Sequence, residues 1–189
     1  MNRFKHLLIS SVLFTLTGCV SLLDATSEGP IEEHRGTRTL GIVVEDENIE
    51  TKISVNLRKA SETLKNSNID VISFNGTVLL IGEVPDQTSK ALAEKVASNT
   101  RAVRKVYNEL SISGVSTWVS RYNDIWITTK VSSQMMFSEN FPSSRVKVVT
   151  EQGTVYLMGL VNETEAAHAV DITKNIYGVE KIVKLFEYI

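Results

Sequence analysis

The sequence predicts an α+β protein built from two copies of one small two-layer domain. Three blocks of the chain recur in the same order: 46–53 as 124–131, 75–82 as 152–159, and 103–106 as 179–182. The offset between the copies changes only from 78 to 76 residues. Because both order and spacing persist, we interpret each copy as one folding unit.

The first helix of each copy is predicted from apolar residues at helical spacing. In the first copy we place Asp46 at the N-cap, where its carboxylate would accept a backbone N–H. The apolar residues that follow it are Ile49, Ile53, Leu57 and Leu64. The matching stripe in the second copy is Ile127, Val131 and Met135. Both stripes are interpreted as core.

The other elements follow from a hairpin signal. Asn75-Gly76 lies between two β-prone runs and predicts strands over 69–74 and 77–84, because both residues tolerate positive φ. A second helix is expected to start at Pro85-Asp86, and a last strand to cover 105–112. Two helices on one face of a three-stranded sheet would bury every apolar stripe of such an αββαβ unit.

The first 18 residues are predicted to be a lipoprotein signal peptide. Arg3 and Lys5 precede an apolar run of about ten residues, whereas a transmembrane helix needs roughly 20. Residues 16–19, Leu-Thr-Gly-Cys, resemble the lipobox of bacterial lipoproteins. In that family the cysteine carries acyl chains, so Cys19 is expected to anchor the protein to a membrane. Because Asp does not follow Cys19, the lipoprotein-sorting rule implies the outer membrane, facing the periplasm.

Charge and composition bound the rest of the chain. Removal of residues 1–18 takes away two basic residues and lowers the formal charge from −2 to −4. Without a Lys/Arg run, this charge disfavours binding to nucleic acid. Residues 19–38 are predicted to be the acylated terminus and a flexible tether. The two domains are expected to cover 39–113 and 123–189, with a linker at 114–122.

The element order and the hairpins resemble the BON-domain family. The matching stretches are NGTVLLIGEV, QGTVYLMGLV and the Val-Xaa-Lys-Val/Ile endings. A lipobox, a tether and two such domains together resemble the dual-BON outer-membrane lipoproteins. This resemblance implies tandem BON domains in a non-enzymatic protein that binds phospholipid through the first helix of its second domain. It also implies support of outer-membrane integrity and enrichment at the division site.

The first helices of the two copies differ on the side away from the core. At about 100° per residue, one arc of the second copy's helix collects Trp126, Thr129, Lys130, Ser133, Met136 and Phe137. The equivalent residues of the first copy are Asn48, Thr51, Lys52, Val55, Arg58 and Lys59. An apolar patch on a solvated helix marks a partner or a membrane. The resemblance implies that this arc binds phospholipid, preferably anionic, such as phosphatidylglycerol.

Three interpretations of this arc stay open at the level of sequence. Trp126 and Phe137 could pack against the first domain, the arc could meet a membrane with Lys130 near a lipid phosphate, or it could fit a groove in a protein. The alternative function is a periplasmic adaptor without lipid recognition. It would dock an outer-membrane assembly protein or a cell-wall enzyme through an exposed sheet face or the first domain.

No catalytic residue, metal site or cofactor is expected. His168 is the one histidine within a predicted domain, and the chain has no Cys/His cluster for zinc. The hairpin glycines are turn residues and do not form a phosphate-binding loop. Asp86 and Glu163 are interpreted as helix-start residues, and their separation gives no acid–base pair.

Overall fold

The computed structural model describes residues 36–113 and 118–189, with side chains from residue 121 onward in the second stretch. These residues belong to one compact unit, Arg35–Ile189. Cys19, the predicted leader and nearly all of the predicted tether lie outside the described residues.

The first domain follows the predicted order, except that the first helix ends before Leu64, which lies in a separate short helix capped by Ser61. Its elements are α1 (Leu40–Ala60), α2 (Glu62–Lys65), β1 (Asn68–Phe74), β2 (Thr77–Val84), α3 (Gln87–Ser98), β3 (Lys105–Asn108) and β4 (Ser111–Ile112). β1 pairs antiparallel with β2, while β3 and β4 pair parallel with β2. The predicted last strand is therefore interrupted at Glu109 and Leu110, where Leu110 turns into the core.

The second domain repeats this order with an unbroken last strand. Its elements are α4 (Trp118–Phe137), a 3₁₀ turn (Ser143–Arg145), β5 (Val146–Glu151), β6 (Thr154–Val161), α5 (Glu163–Lys174) and β7 (Lys181–Tyr188). β5 pairs antiparallel and β7 parallel with β6. The α+β class is confirmed. The first five residues of α4, 118–122, fall within the stretch 114–122 that is predicted from the sequence to be a linker.

Each domain has its own core between helices and sheet. The two predicted stripes are fully buried there, namely Ile49, Ile53 and Leu57 of α1 and Ile127, Val131 and Met135 of α4. Around them pack Val78 and Leu80 of β2 in the first domain, and Val155 and Leu157 of β6 in the second. The assignment of both stripes to the core is confirmed.

The opposite faces of the two sheets pack against each other. This interdomain core consists of Ile72, Phe74, Leu79, Ile81, Tyr156, Met158, Leu160 and Leu185. It explains why β2 and β6 are buried almost along their whole length, because one side of each faces helices and the other faces the partner sheet. The sheet faces proposed as a docking surface for an adaptor are therefore covered.

Polar contacts flank the interdomain core. Lys147 Nζ lies 2.9 Å from Glu50 Oε1, and Gln152 Nε2 donates to Glu83 Oε1 at 2.9 Å. Arg104 forms an ion pair with Glu187 at 3.0 Å. Each contact joins one domain to the other, so the polar rim supports the orientation that the apolar centre sets.

The prediction that Asp46 caps α1 is wrong. α1 begins at Leu40, and its N-cap is Thr39, whose Oγ1 accepts the N–H of Ile42 at 3.3 Å. Asp46 is buried within the helix, and its carboxylate accepts the N–H groups of Asn75 and Gly76 at 2.8 and 2.9 Å. It thus holds the hairpin turn of its own domain.

The second domain uses Asp124 in the same way. Its carboxylate accepts the N–H groups of Gln152 and Gly153, both at 2.9 Å. The turn residues have positive φ, 47° at Gln152 and 73° at Gly153, so their N–H groups point inward to one acceptor. The block that begins at Asp46 and Asp124 recurs because both domains need this helix-to-turn clamp.

Candidate functional site

One side of α4 carries an exposed apolar row. Its large side chains are Tyr122 (76% exposed), Ile125 (65%), Trp126 (44%), Met136 (66%) and Phe137 (83%). They lie opposite the buried stripe and extend over about 22 Å, at 1.5 Å per residue. We call this surface the outer face of α4; it comprises Tyr122, Ile125, Trp126, Thr129, Lys130, Ser133, Met136 and Phe137.

The six residues predicted for the phospholipid site, Trp126, Thr129, Lys130, Ser133, Met136 and Phe137, all lie on the outer face. Five are exposed, and Ser133 is half-buried. Trp126 and Phe137 are not part of the interdomain core. The interpretation that these two side chains pack against the first domain is therefore wrong.

Tyr122 and Ile125 extend the outer face toward the start of α4, and neither is among the residues predicted from the sequence. Tyr122 was assigned to the linker, which placed it outside the helix. The signal was nevertheless present, because Tyr122 and Ile125 precede Trp126 and Thr129 by the four residues that bring side chains onto one helix face.

Local contacts set the polar chemistry of the outer face. Lys130 Nζ lies 5.9 Å from the centroid of the Trp126 ring, within the range of a cation–π contact. Thr129 Oγ1 donates to the carbonyl oxygen of Ile125 at 2.8 Å, so the hydroxyl is satisfied by its own helix. The outer face therefore offers a long apolar surface with one ammonium group beside its indole ring.

The equivalent side of α1 is different in character. Asn48, Thr51, Lys52, Arg58 and Lys59 are exposed there. Its exposed large apolar residues, Leu40 and Val44, lie only near the start of the helix. Two helices with the same buried stripe thus present different surfaces to their surroundings.

A cleft of about 330 Å³ lies beside the outer face. It is lined by Asp70, Arg121, Asp124, Ile125, Thr128, Thr129, Val148, Val149, Thr150 and Glu151. Burial is the main cause that raises the pKa of Glu151 to about 7, and the charges of Glu83, Asp124 and Asp70 add to it. Arg121 acts in the opposite direction. The cleft is thus predominantly acidic.

Among the described residues, no group of three or more His, Cys, Asp or Glu side chains could hold a metal ion. His168 is exposed; its Nε2 lies 3.1 Å from Ser138 Oγ, and its ring meets Phe141 edge-on. In the part of the chain that the structure describes, no helix combines the length and apolarity needed to cross a bilayer.

Residues 45–114 and 123–189, which correspond to the two structural repeats, match the model of the BON domain family. The chain belongs to the BON-domain family. It is 33% identical to the outer membrane lipoprotein DolP of Haemophilus influenzae, over 97% of this chain and 94% of that protein. It is also 33% identical to a 21 kDa hemolysin of Actinobacillus pleuropneumoniae, over 80% of this chain and 78% of the hemolysin. The chain is therefore a dual-BON protein similar to DolP.

Among solved structures, the C-terminal domain of CdsD, a structural protein of the type III secretion system of Chlamydia trachomatis, is 16% identical to this chain. The match covers 76% of this chain and 67% of the CdsD chain, with a TM-score of 0.31. A similarity of this size supports no inference about function.

Proposed function

We propose that the protein is a lipid-anchored, periplasm-facing lipoprotein of the outer membrane that binds phospholipid through the outer face of α4. The anchor is Cys19, at the end of a lipobox-like tetrapeptide. The similarity to DolP, whose name places that protein in the outer membrane, extends over 97% of this chain and supports the location. The proposed role is binding, without a catalytic step.

The observation that carries the proposal is the exposed apolar row of α4. Five large apolar or aromatic side chains are exposed along one side of this helix, although the same side of α1 is mainly polar. Trp and Tyr suit the boundary between headgroups and acyl chains, because each has an apolar body and one polar group that needs a partner. The row is long enough to lie flat along a membrane surface.

The size of the interaction limits what the outer face does. Burial of Trp126 and Phe137 contributes a few kcal/mol, on the order of 1.5–3 for each side chain before ordering costs. Lys130 adds about 1 kcal/mol near anionic lipid. Such a contact is weak alone, but an acyl anchor raises the effective concentration at the membrane. Cys19 would therefore hold the protein on the membrane, and the outer face would select the lipid.

Preference for anionic lipid, such as phosphatidylglycerol, is the finer part of the proposal. Lys130 beside Trp126 supports it, because its ammonium can reach a phosphate oxygen while the ring enters the interface. Support of outer-membrane integrity and enrichment at the division site belong to the proposal through the family resemblance alone.

The test follows the fluorescence of Trp126 during vesicle binding. The protein begins at Asp24, which keeps all described residues, and carries Trp118→Phe so that Trp126 is its single tryptophan. We expect a blue shift with phosphatidylglycerol-rich vesicles and a smaller one with phosphatidylcholine alone. Phe137→Ser should weaken binding, whereas Lys59→Ser, at the equivalent position of α1, should not. Absence of a shift with both vesicles would refute membrane contact by Trp126.

A further inference from the structure

The two sheets have one free edge strand each next to the first helix of their domain, β1 and β5. In both hairpins a two-residue turn joins the edge strand to the central strand. Hydrogen-bonded pairs alternate along such strands, so Ser73 of β1 and Thr150 of β5 direct their backbone groups away from the central strand. These two residues are equivalent in the repeat.

Side chains cap this edge in the first domain. The N–H of Ser73 donates to Glu50 Oε1 at 2.7 Å, and Lys147 Nζ lies 3.5 Å from the Ser73 carbonyl oxygen. Glu50 is also paired with Lys147 at 2.9 Å. Charged side chains that occupy the backbone groups of an edge strand protect it from pairing with another chain.

The second domain lacks this cap. The equivalent of Glu50 is Thr128, whose hydroxyl donates to Thr150 Oγ1 at 2.8 Å and leaves the backbone unoccupied. Among the described residues, the outward N–H groups of Val148 and Thr150 have no hydrogen-bond partner. They lie instead at the 330 Å³ cleft beside α4.

The cleft has a charge that indicates the kind of ligand it accepts. Asp70 comes from the first domain, and Asp124 and Glu151 come from the second, against the single guanidinium of Arg121. Val148, Val149 and Ile125 supply apolar lining. An unpaired strand edge next to apolar and acidic side chains matches a peptide with alternating apolar and basic residues.

We propose that this cleft docks an extended, basic peptide segment of a partner protein, which adds a strand to the free edge of β5. Main-chain hydrogen bonds to Val148 and Thr150 would provide affinity, as in other cases of strand addition. A Lys or Arg side chain of the segment would lie among Asp70, Asp124 and Glu151. The site is distinct from the lipid contact, although Ile125 and Thr129 border both surfaces.

The test uses a defined probe. A blocked hexapeptide of alternating valine and lysine is titrated into the ¹⁵N-labelled chain from Asp24 onward, and amide shifts are followed by NMR. We expect saturable shifts at Val148 and Thr150 and none at Ser73. A peptide with glutamate in place of lysine, and one with alternate amides N-methylated, should bind at least tenfold more weakly.

A substitution copied from the first domain provides the blocking variant. Thr128→Glu introduces the cap that Glu50 provides for Ser73, so it should weaken binding of the valine–lysine peptide at least tenfold. Gln134→Glu adds the same charge at an exposed position of α4 outside the cleft, so it should leave binding unchanged. If Thr128→Glu does not fold, the N-methylated peptide decides the matter with the unaltered protein.

Three results would overturn the proposal. Equal binding of the plain and N-methylated peptides would exclude strand addition, and equal binding of the lysine and glutamate peptides would exclude the acidic cleft. Shifts at Val148 and Thr150 with phosphatidylglycerol vesicles but not with the peptide would assign the cleft to the membrane contact. In that case the phospholipid proposal stands while the peptide proposal fails.

Discussion

Replacement of Asp46 by alanine tests the clamp between α1 and the first hairpin. The carboxylate accepts the N–H groups of Asn75 and Gly76, the hydroxyl of Ser73 at 2.7 Å and the guanidinium of Arg38 at 2.8 Å. Asp46→Ala would leave two backbone N–H groups, the Ser73 hydroxyl and the Arg38 guanidinium without their buried acceptor. We expect a large loss of stability without a change in fold.

The expected cost is about 3–5 kcal/mol. One hydrogen bond to a charged group contributes about 1.5–3 kcal/mol, but bonds to one carboxylate are not additive. We therefore take the cost of about 3–5 kcal/mol that is typical when one partner of a buried ion pair is removed. Asp124 supplies the internal control, because its carboxylate accepts the corresponding backbone N–H groups of Gln152 and Gly153. Asp124→Ala should cost about 2–3 kcal/mol.

Urea unfolding followed by circular dichroism measures both variants, and pH provides a second check. Burial alone would raise the pKa of Asp46, but the hydrogen bonds that it accepts outweigh burial and lower the pKa below 3.8. A carboxyl with a lowered pKa stabilises the fold above its unfolded pKa and loses this effect as the pH falls through its folded pKa. The gap between the parent and Asp46→Ala should therefore be full at pH 7 and narrow below pH 3.8. A cost under 1 kcal/mol for Asp46→Ala would refute the clamp, and a larger cost for Asp124→Ala would contradict the added contribution of Arg38 and Ser73.

Three further substitutions test other parts of the structure. The pKa of Glu151 is raised to about 7, which favours its protonated form in the fold. Its contribution to stability is therefore present below pH 4.5 and is lost as the pH rises through 7. In urea unfolding, the free energy of unfolding of Glu151→Gln should equal that of the parent at pH 4 and exceed it by about 1 kcal/mol at pH 8, after allowance for solvent screening. Gly82 has a φ of 108°, and a Cβ there would lie 2.1 Å from a backbone oxygen of β1. At Gly159 the corresponding distance is 2.6 Å and φ is not positive. Gly82→Ala should therefore lower the urea midpoint more than Gly159→Ala does. Ile81→Asp places a charge between the packed sheets and should split one cooperative urea transition into two, which an unchanged single transition would contradict.

The packing of the sheets was within reach of the sequence but was not predicted. β2 and β6 read TVLLIGEV and TVYLMGLV, with hardly any polar residue to mark a solvent-facing side. A nearly continuous apolar strand is buried on both faces. Helices on one face therefore required a second layer on the other. The repeat pointed to the other domain as the partner, because each domain has the same uncovered sheet face, but this inference was not made.

The role of Asp46 and the open edge of β5 could not be predicted from the spacing of residues in the sequence. Asp46 has the residue type of an N-cap and precedes an apolar stripe, so local pattern favoured a helix start there. Its real partners, Asn75 and Gly76, are about 30 residues away in the chain, and only the tertiary fold brings them together. The missing cap on β5 likewise depends on a contact between Glu50 and Ser73 that no local pattern encodes.

The outer face of α4 was largely predictable because it rests on helical geometry and on the comparison of two copies. The core stripe fixed which side pointed outward, and divergence from α1 identified the unusual side. Tyr122 was lost because the start of α4 was placed too late. Helix ends carry weaker signals than helix interiors.

The most direct test of the lipid proposal transfers the surface of α1 onto α4. The variant carries Trp126→Asn, Met136→Arg and Phe137→Lys, copied from Asn48, Arg58 and Lys59. It removes three exposed apolar side chains and adds two positive charges, so apolar insertion and simple attraction to anionic lipid give opposite results. Co-sedimentation with phosphatidylglycerol-rich vesicles should fall well below that of the parent. Unchanged or stronger binding would contradict phospholipid recognition by the outer face of α4.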